Sequence, residues 1–258
     1  ISIIYFFSKK RKYLNDYFDQ DNIDSTRKLI ALTVAETYKA DPGGIQDHLE
    51  PFLSKYLNFI RNSSTEKIPD FLSYLERIIS NTGYLITPYT DRIFQAIELH
   101  WHNRYTQESS KVFTQLIIST EGHCDSILHL LVSTSFLLIR SKKDYQSLTE
   151  EIFTLLRSIA RFCPDHLQSI IDGCVKIMST SGSPVYLQQQ SLKTIEYIIV
   201  NADAWPHLSM ITRCLNNVSN RSQMIWRDQA NRLLDIVNSI NNKHMDAQTI
   251  QNNVQKKP

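Results

Sequence analysis

Glycine is scarce, at 6 of 258 residues, and that scarcity disfavours folds built on tight turns, whose left-handed positions call for glycine. A turn-rich β sandwich and a collagen-like repeat are both poor fits. Cysteine is rarer still: Cys124, Cys163, Cys174 and Cys214 form no C-x-x-C pair and have no histidines at zinc spacing. Their apolar helical settings predict reduced, buried thiols instead of a disulfide framework or a metal centre. Reduced thiols suit the cytoplasm and the nucleus.

An excess of one charge is missing too. Lys+Arg 28 against Asp+Glu 26 leaves a formal net charge of +2, too mild for a grip on nucleic acid, which needs a concentrated basic face. The run Lys9, Lys10, Arg11, Lys12 is the local exception, and it reads as a solvated helix face or linker before it reads as a localisation patch. The longest apolar run, Ile127 to Ile139, covers about 13 residues, short of the roughly 20 that a bilayer requires. Neither direct nucleic-acid binding nor membrane insertion is expected. The opening ISIIYFF is too short for a secretory leader, and a start at Ile1 predicts a larger parent. Asn62-Ser63-Ser64, Asn217-Val218-Ser219 and Asn220-Arg221-Ser222 match the glycosylation acceptor pattern as a chance product of an Asn- and Ser-rich chain.

Chemistry-bearing patterns are absent as well. Asp41-Pro42-Gly43-Gly44 lacks the spacing that cradles phosphates and follows a helical stretch, so it reads as a turn. His100 and His102 are two apart on a helical pattern and face away from one another, which prevents joint chelation. His123-Cys124 has no partner in a known nucleophile pattern, and Glu150 with Glu151 complements the positive end of a helix. No catalytic, cofactor-binding or metal-ligating residue is expected, and the chain does not read as an enzyme.

What the sequence does contain is helical periodicity. Apolar spacing and breakers predict helices near 25 to 40, 46 to 61, 68 to 81, 88 to 102, 106 to 119, 124 to 140, 148 to 162, 166 to 179, 184 to 201, 206 to 218 and 221 to 242. In TEEIFTLLRSIARFCPDHLQSIIDGCVKIM, Ile152, Leu155, Leu156 and Ile159 form one stripe, and Leu167, Ile170, Ile171, Cys174, Val175 and Met178 form another. Ser147 with Glu150, and Asp165 with Gln168, have the spacing of capping boxes. Pro164 ends the first helix, and so short a connection makes the two antiparallel. Such a hairpin cannot bury both stripes alone.

Every second predicted start, near 68, 106, 148, 184 and 221, recurs at intervals of about 36 to 42 residues, the period of HEAT and armadillo arrays. The expected fold is therefore all-α: an α-solenoid of about five stacked antiparallel helix pairs over residues 25–242, wound as a right-handed superhelix. Residues 1–24 are expected to continue from the parent, and 243–258 to form a polar tail. The helix over Ile127 to Ile139, apolar nearly all round, is expected to be sandwiched between layers, and Ser222 to Asn242, with a polar back, to lie outside.

Aromatic residues near predicted turns are the candidate binding anchors: Tyr84, Tyr89, Trp101, Tyr105 and Trp205, with Trp226 beside them, could line one edge of the stack, although each also suits a helix interface. The segments LHLLVSTSFLLI, DYQSLTEEIFTLLRSIARFCPDHL, IIDGCVKIM and LQQQSLKTIEYII, preceded by DFLSYLERIISNTGYLITPYTDRIFQAIELHW, resemble the carboxy-terminal HEAT repeats of the importin-β, or karyopherin, family on the branch of transportin-SR and importin 13. The resemblance covers about residues 50 to 240. It implies a nuclear transport receptor that wraps protein cargo and touches Phe-Gly nucleoporins, with Ran GTPase engaged through amino-terminal repeats outside this chain. The Arg-rich helix that such receptors use for Arg/Ser-rich cargo has no counterpart here. A HEAT-repeat scaffold subunit of a multiprotein complex is the alternative.

Overall fold

The computed structural model describes residues 24–40, 46–63, 66, 68–141, 145–221 and 224–255. The Lys9–Lys12 run and the Asp41–Gly44 turn lie outside them. In chain order the α-helices are α1 (Asp24–Ala40), α2 (Gln46–Asn62), α3 (Ile68–Thr82), α4 (Thr90–His102), α5 (Thr106–Ser119), α6 (Asp125–Ser141), α7 (Gln146–Phe162), α8 (Leu167–Ser179), α9 (Val185–Asn201), α10 (Leu208–Arg221) and α11 (Met224–Gln255). Short 3-10 segments, Gly83–Tyr89, Pro164–His166 and Trp205–His207, lead into α4, α8 and α10. Each contains a proline, Pro88, Pro164 and Pro206, at a point where the chain turns, whereas Pro51 is accommodated inside α2.

Helices alternate between two layers. The odd-numbered helices pack one on the next from α1 to α11, and the even-numbered helices do the same from α2 to α10. Neighbours therefore stand two helices apart in the chain, which is how a solenoid stacks and a closed bundle does not. From α1 to α9 the odd-layer neighbours contact each other more extensively than the even-layer neighbours, so over that stretch the even layer is the more open and lies on the outside of the curve.

The register of the stack is recorded in hydrogen bonds between repeats. Asn81 Nδ2 donates to Ala35 O at 2.8 Å, His100 Nε2 lies 2.9 Å from Ile60 O, and Ser119 Oγ donates to Ile79 O at 3.3 Å, across separations of 46, 40 and 40 residues. The two spans of 40 residues match the predicted period, and the span of 46 across the first repeat is longer than it. Between the layers runs one continuous core: the α7 stripe of Ile152, Leu155, Leu156 and Ile159 is fully buried, and so are Ile170, Ile171 and Cys174 of α8. Each such aliphatic side chain contributes about 1.5–3 kcal/mol on leaving water, and removing any repeat would bare the stripes of its neighbours.

Connections alternate between the two edges of the stack. The Tyr84 ring meets His123 edge-on at 6.0 Å, and Cys163 Sγ lies 3.9 Å from Gly122 O, which places the α3–α4, α5–α6 and α7–α8 turns along one edge. At the α5–α6 turn Gly122 has φ 82°, and an added Cβ would stand 2.8 Å from Cys163 Sγ. Only glycine fits there on both counts.

Four expectations are corrected. Ser147 and Asp165 do not cap: α7 begins at Gln146, with Thr149 Oγ1 donating to Gln146 O at 2.9 Å, and α8 begins at Leu167 without a side-chain cap. The α6 helix is not sandwiched, because a two-layer stack gives every helix a solvent face, and Leu130 and Leu137 on it are 45% and 61% exposed. Nor is α11 an outer helix; it belongs to the layer of α1, α3, α5, α7 and α9. It also continues to Gln255, past the predicted end at 242, since no glycine or proline interrupts it.

Candidate interaction surface

On the odd layer, each helix touches the next through polar side chains. Arg77 of α3 pairs with Glu36 of α1. Lys111 Nζ of α5 lies 3.7 Å from Glu151 Oε1 of α7. Arg157 of α7 donates to Gln190 Oε1 and Thr194 Oγ1 of α9, both at 3.4 Å. Gln229 of α11 then donates to Glu196 of α9 at 3.1 Å. Polar groups carried in this way at the helix interfaces favour one register over its slipped alternatives, although exposed ion pairs add at most about 1 kcal/mol each.

Burial perturbs two ionisable groups on these helices, Glu76 and Arg157. Glu76, half-buried on α3, has its carboxyl pushed up first by desolvation; Lys111 opposes the rise and Glu151 adds to it. Desolvation lowers the Arg157 guanidinium from its ordinary value, with Glu150 opposing. The even layer has a similar pairing, in which Arg92 of α4 meets Glu50 of α2, while His207 Nδ1 lies 2.9 Å from Gln168 Oε1 of α8.

The aromatic candidates separate. Trp101 is fully buried: its Nε1 donates to Ser110 Oγ at 3.0 Å and its ring meets Phe113 edge-on at 4.9 Å. It is a core residue, since the α4–α5 connection folds it inward. Tyr105, half-buried at the same connection, lies against the His100 ring at 5.9 Å. Tyr84, Tyr89 and Trp205 belong to connections on the opposite edge, where Tyr84 is 62% exposed and the other two rest on the core. Burial raises the Tyr89 hydroxyl's pKa, with Glu50 adding and Arg92 opposing. Trp226 rests on the core as well. The six therefore do not line one edge.

Sequence reasoning missed a separate feature. Leu99 of α4 and Leu130 and Leu137 of α6 are exposed large apolar side chains on adjacent helices of the open layer. The signal for it in the sequence is the all-round apolar character of α6, which fits an exposed apolar face as well as it fits depth. Among the described residues no group of three or more His, Cys, Asp or Glu is placed to hold a metal ion, and no helix is long and apolar enough to cross a membrane.

No family model matches the chain, and no curated protein does. Solved structures do match. An engineered protein from a structural genomics consortium is 14% identical, with a TM-score of 0.50 over 89% of this chain and 98% of its own. A designed armadillo repeat protein is 10% identical, with a TM-score of 0.50 over 90% and 99%. At such identity the likeness concerns the fold: this chain is an all-α, armadillo-like solenoid.

Proposed function

We propose that this solenoid is a non-enzymatic protein-binding module, the carboxy-terminal part of a karyopherin-type nuclear transport receptor that works in the cytoplasm and nucleus. The observation that carries the reading is the pair of adjacent even-layer helices, α4 and α6, exposing Leu99, Leu130 and Leu137 outside the core. Shallow apolar notches between splayed helices suit short Phe-Gly peptides. Ran GTPase would engage the full-length parent.

The test is a pull-down with immobilised Phe-Gly peptides, comparing the chain with a Leu99→Ser/Leu137→Ser variant, alongside Ran-GTP capture by the full-length parent. The reading expects capture by both, with the peptide signal falling at least about five-fold in the variant. A protein that ignores Phe-Gly peptides and Ran-GTP alike would instead be a HEAT-repeat scaffold of a stable assembly.

A further inference from the structure

Between the ends of α6 and α8 and the start of α9 lies a cleft of about 330 Å³. Ile139 and Ile177 form its apolar floor, and the α8–α9 turn supplies Ser181 and Ser183 at its wall. Arg140 and Lys176 reach it from the last turns of the two neighbouring even-layer helices. Both are exposed, and neither forms an ion pair among the described residues, whereas Arg77, Arg92 and Lys111 each face a glutamate.

Part of this positive charge answers the negative helix ends beside it, each equivalent to about half a charge. Two full cations against two half charges leave about one positive charge over, and the amino end of α9 adds about half of another. The Ser181 and Ser183 hydroxyls supply two further donors. A carboxylate would leave part of this donor set unused; a tetrahedral dianion with three acceptor oxygens matches it.

We propose that this cleft seats a phosphate group carried on a serine or threonine side chain of a protein partner. The proposal rests on the protein-binding reading above and adds a chemical requirement to it. The apolar floor receives the partner's backbone neighbourhood while Arg140 and Lys176 flank the phosphate, the arginine through two parallel hydrogen bonds and the lysine as a point charge.

The experiment titrates the isotope-labelled full chain with N-acetyl-phosphoserine amide, its unphosphorylated counterpart and inorganic phosphate, following the amide resonance of Gly182. The expected result is a saturable shift with phosphoserine and none with the serine control. Binding should weaken at least about ten-fold in Arg140→Gln/Lys176→Gln and change less than about two-fold in Lys193→Gln. Thermal melts of each variant establish that it is folded. A Gly182 resonance that does not move, or a shift that survives the double substitution, overturns the proposal; binding of inorganic phosphate without phosphoserine overturns the assignment to a protein side chain. A chain that captures Phe-Gly peptides yet ignores phosphoserine keeps the broader reading and loses this one, while phosphoserine binding at this cleft without any peptide capture supports this one alone.

Discussion

Gly173 of α8 faces the Phe136 ring of α6 so closely that a methyl group at its Cα would stand 2.2 Å from Phe136 Cζ. The absence of a side chain sets how near these two even-layer helices approach, and Phe136, at 8% exposure, is buried by that approach. Gly173→Ala gains helix propensity of about 1 kcal/mol but forces the helices apart at an overpacking cost of about 1–3 kcal/mol. The expected outcome is a net loss of stability by urea denaturation. In a Phe136→Leu background the same substitution should become neutral or stabilising, and an equal loss in both backgrounds would dissociate the effect from this contact.

The four cysteines should be chemically silent in the folded chain. Burial pushes the Cys124 and Cys214 thiols up to about 11 and Cys163 up to about 12, and it raises Cys174 too, next to Cys214. At pH 8 a thiol titrating near 11 is about one part in a thousand thiolate, and the thiolate is the reactive form. Reaction with Ellman's reagent at pH 8 is expected to be at least about 100-fold slower in buffer than in denaturing urea. Prompt titration of any thiol in the native protein would place that cysteine at the surface.

How much of this was legible in the sequence depended on the range of the physics involved. Helix positions follow from local apolar spacing and prolines, so α5 runs over Thr106–Ser119 as expected and α2 begins at Gln46 as expected. Capping failed because a motif fixes only which hydroxyl could cap; in the fold Thr149 bonds to Gln146 O, within the first turn, and the helix starts one residue before Ser147. The period was readable, but not the partners it brings together: Arg157 with Thr194 spans 37 residues, and Gln168 Oε1 with His207 spans 39. Trp101 and Tyr84 looked alike as aromatics beside turns, yet one is fully buried and the other mostly exposed, because the direction a chain takes out of a helix is settled by the neighbouring repeat.

Glu76 offers a test of the odd-layer face through pH. Its carboxyl is raised chiefly by desolvation, so the folded state binds that proton more tightly than the unfolded chain does. The resulting stabilisation is fully present below the unfolded value of about 4.3 and is lost as pH climbs through the raised folded value. At pH 8 the carboxylate is charged in a half-dry site, and a neutral isostere should fit better. Lys111 would keep its partner, since Glu151 Oε1 stays 3.7 Å away. Glu76→Gln is therefore expected to raise the melting temperature at pH 8, by no more than about 2–4 °C because the site is partly solvated and the gain stays under about 1 kcal/mol. The difference should shrink towards zero at pH 4, where both side chains are uncharged. Melts by circular dichroism at pH 4, 6 and 8 decide the matter: a variant that melts lower at pH 8 would show that attraction to Lys111 outweighs desolvation at this position.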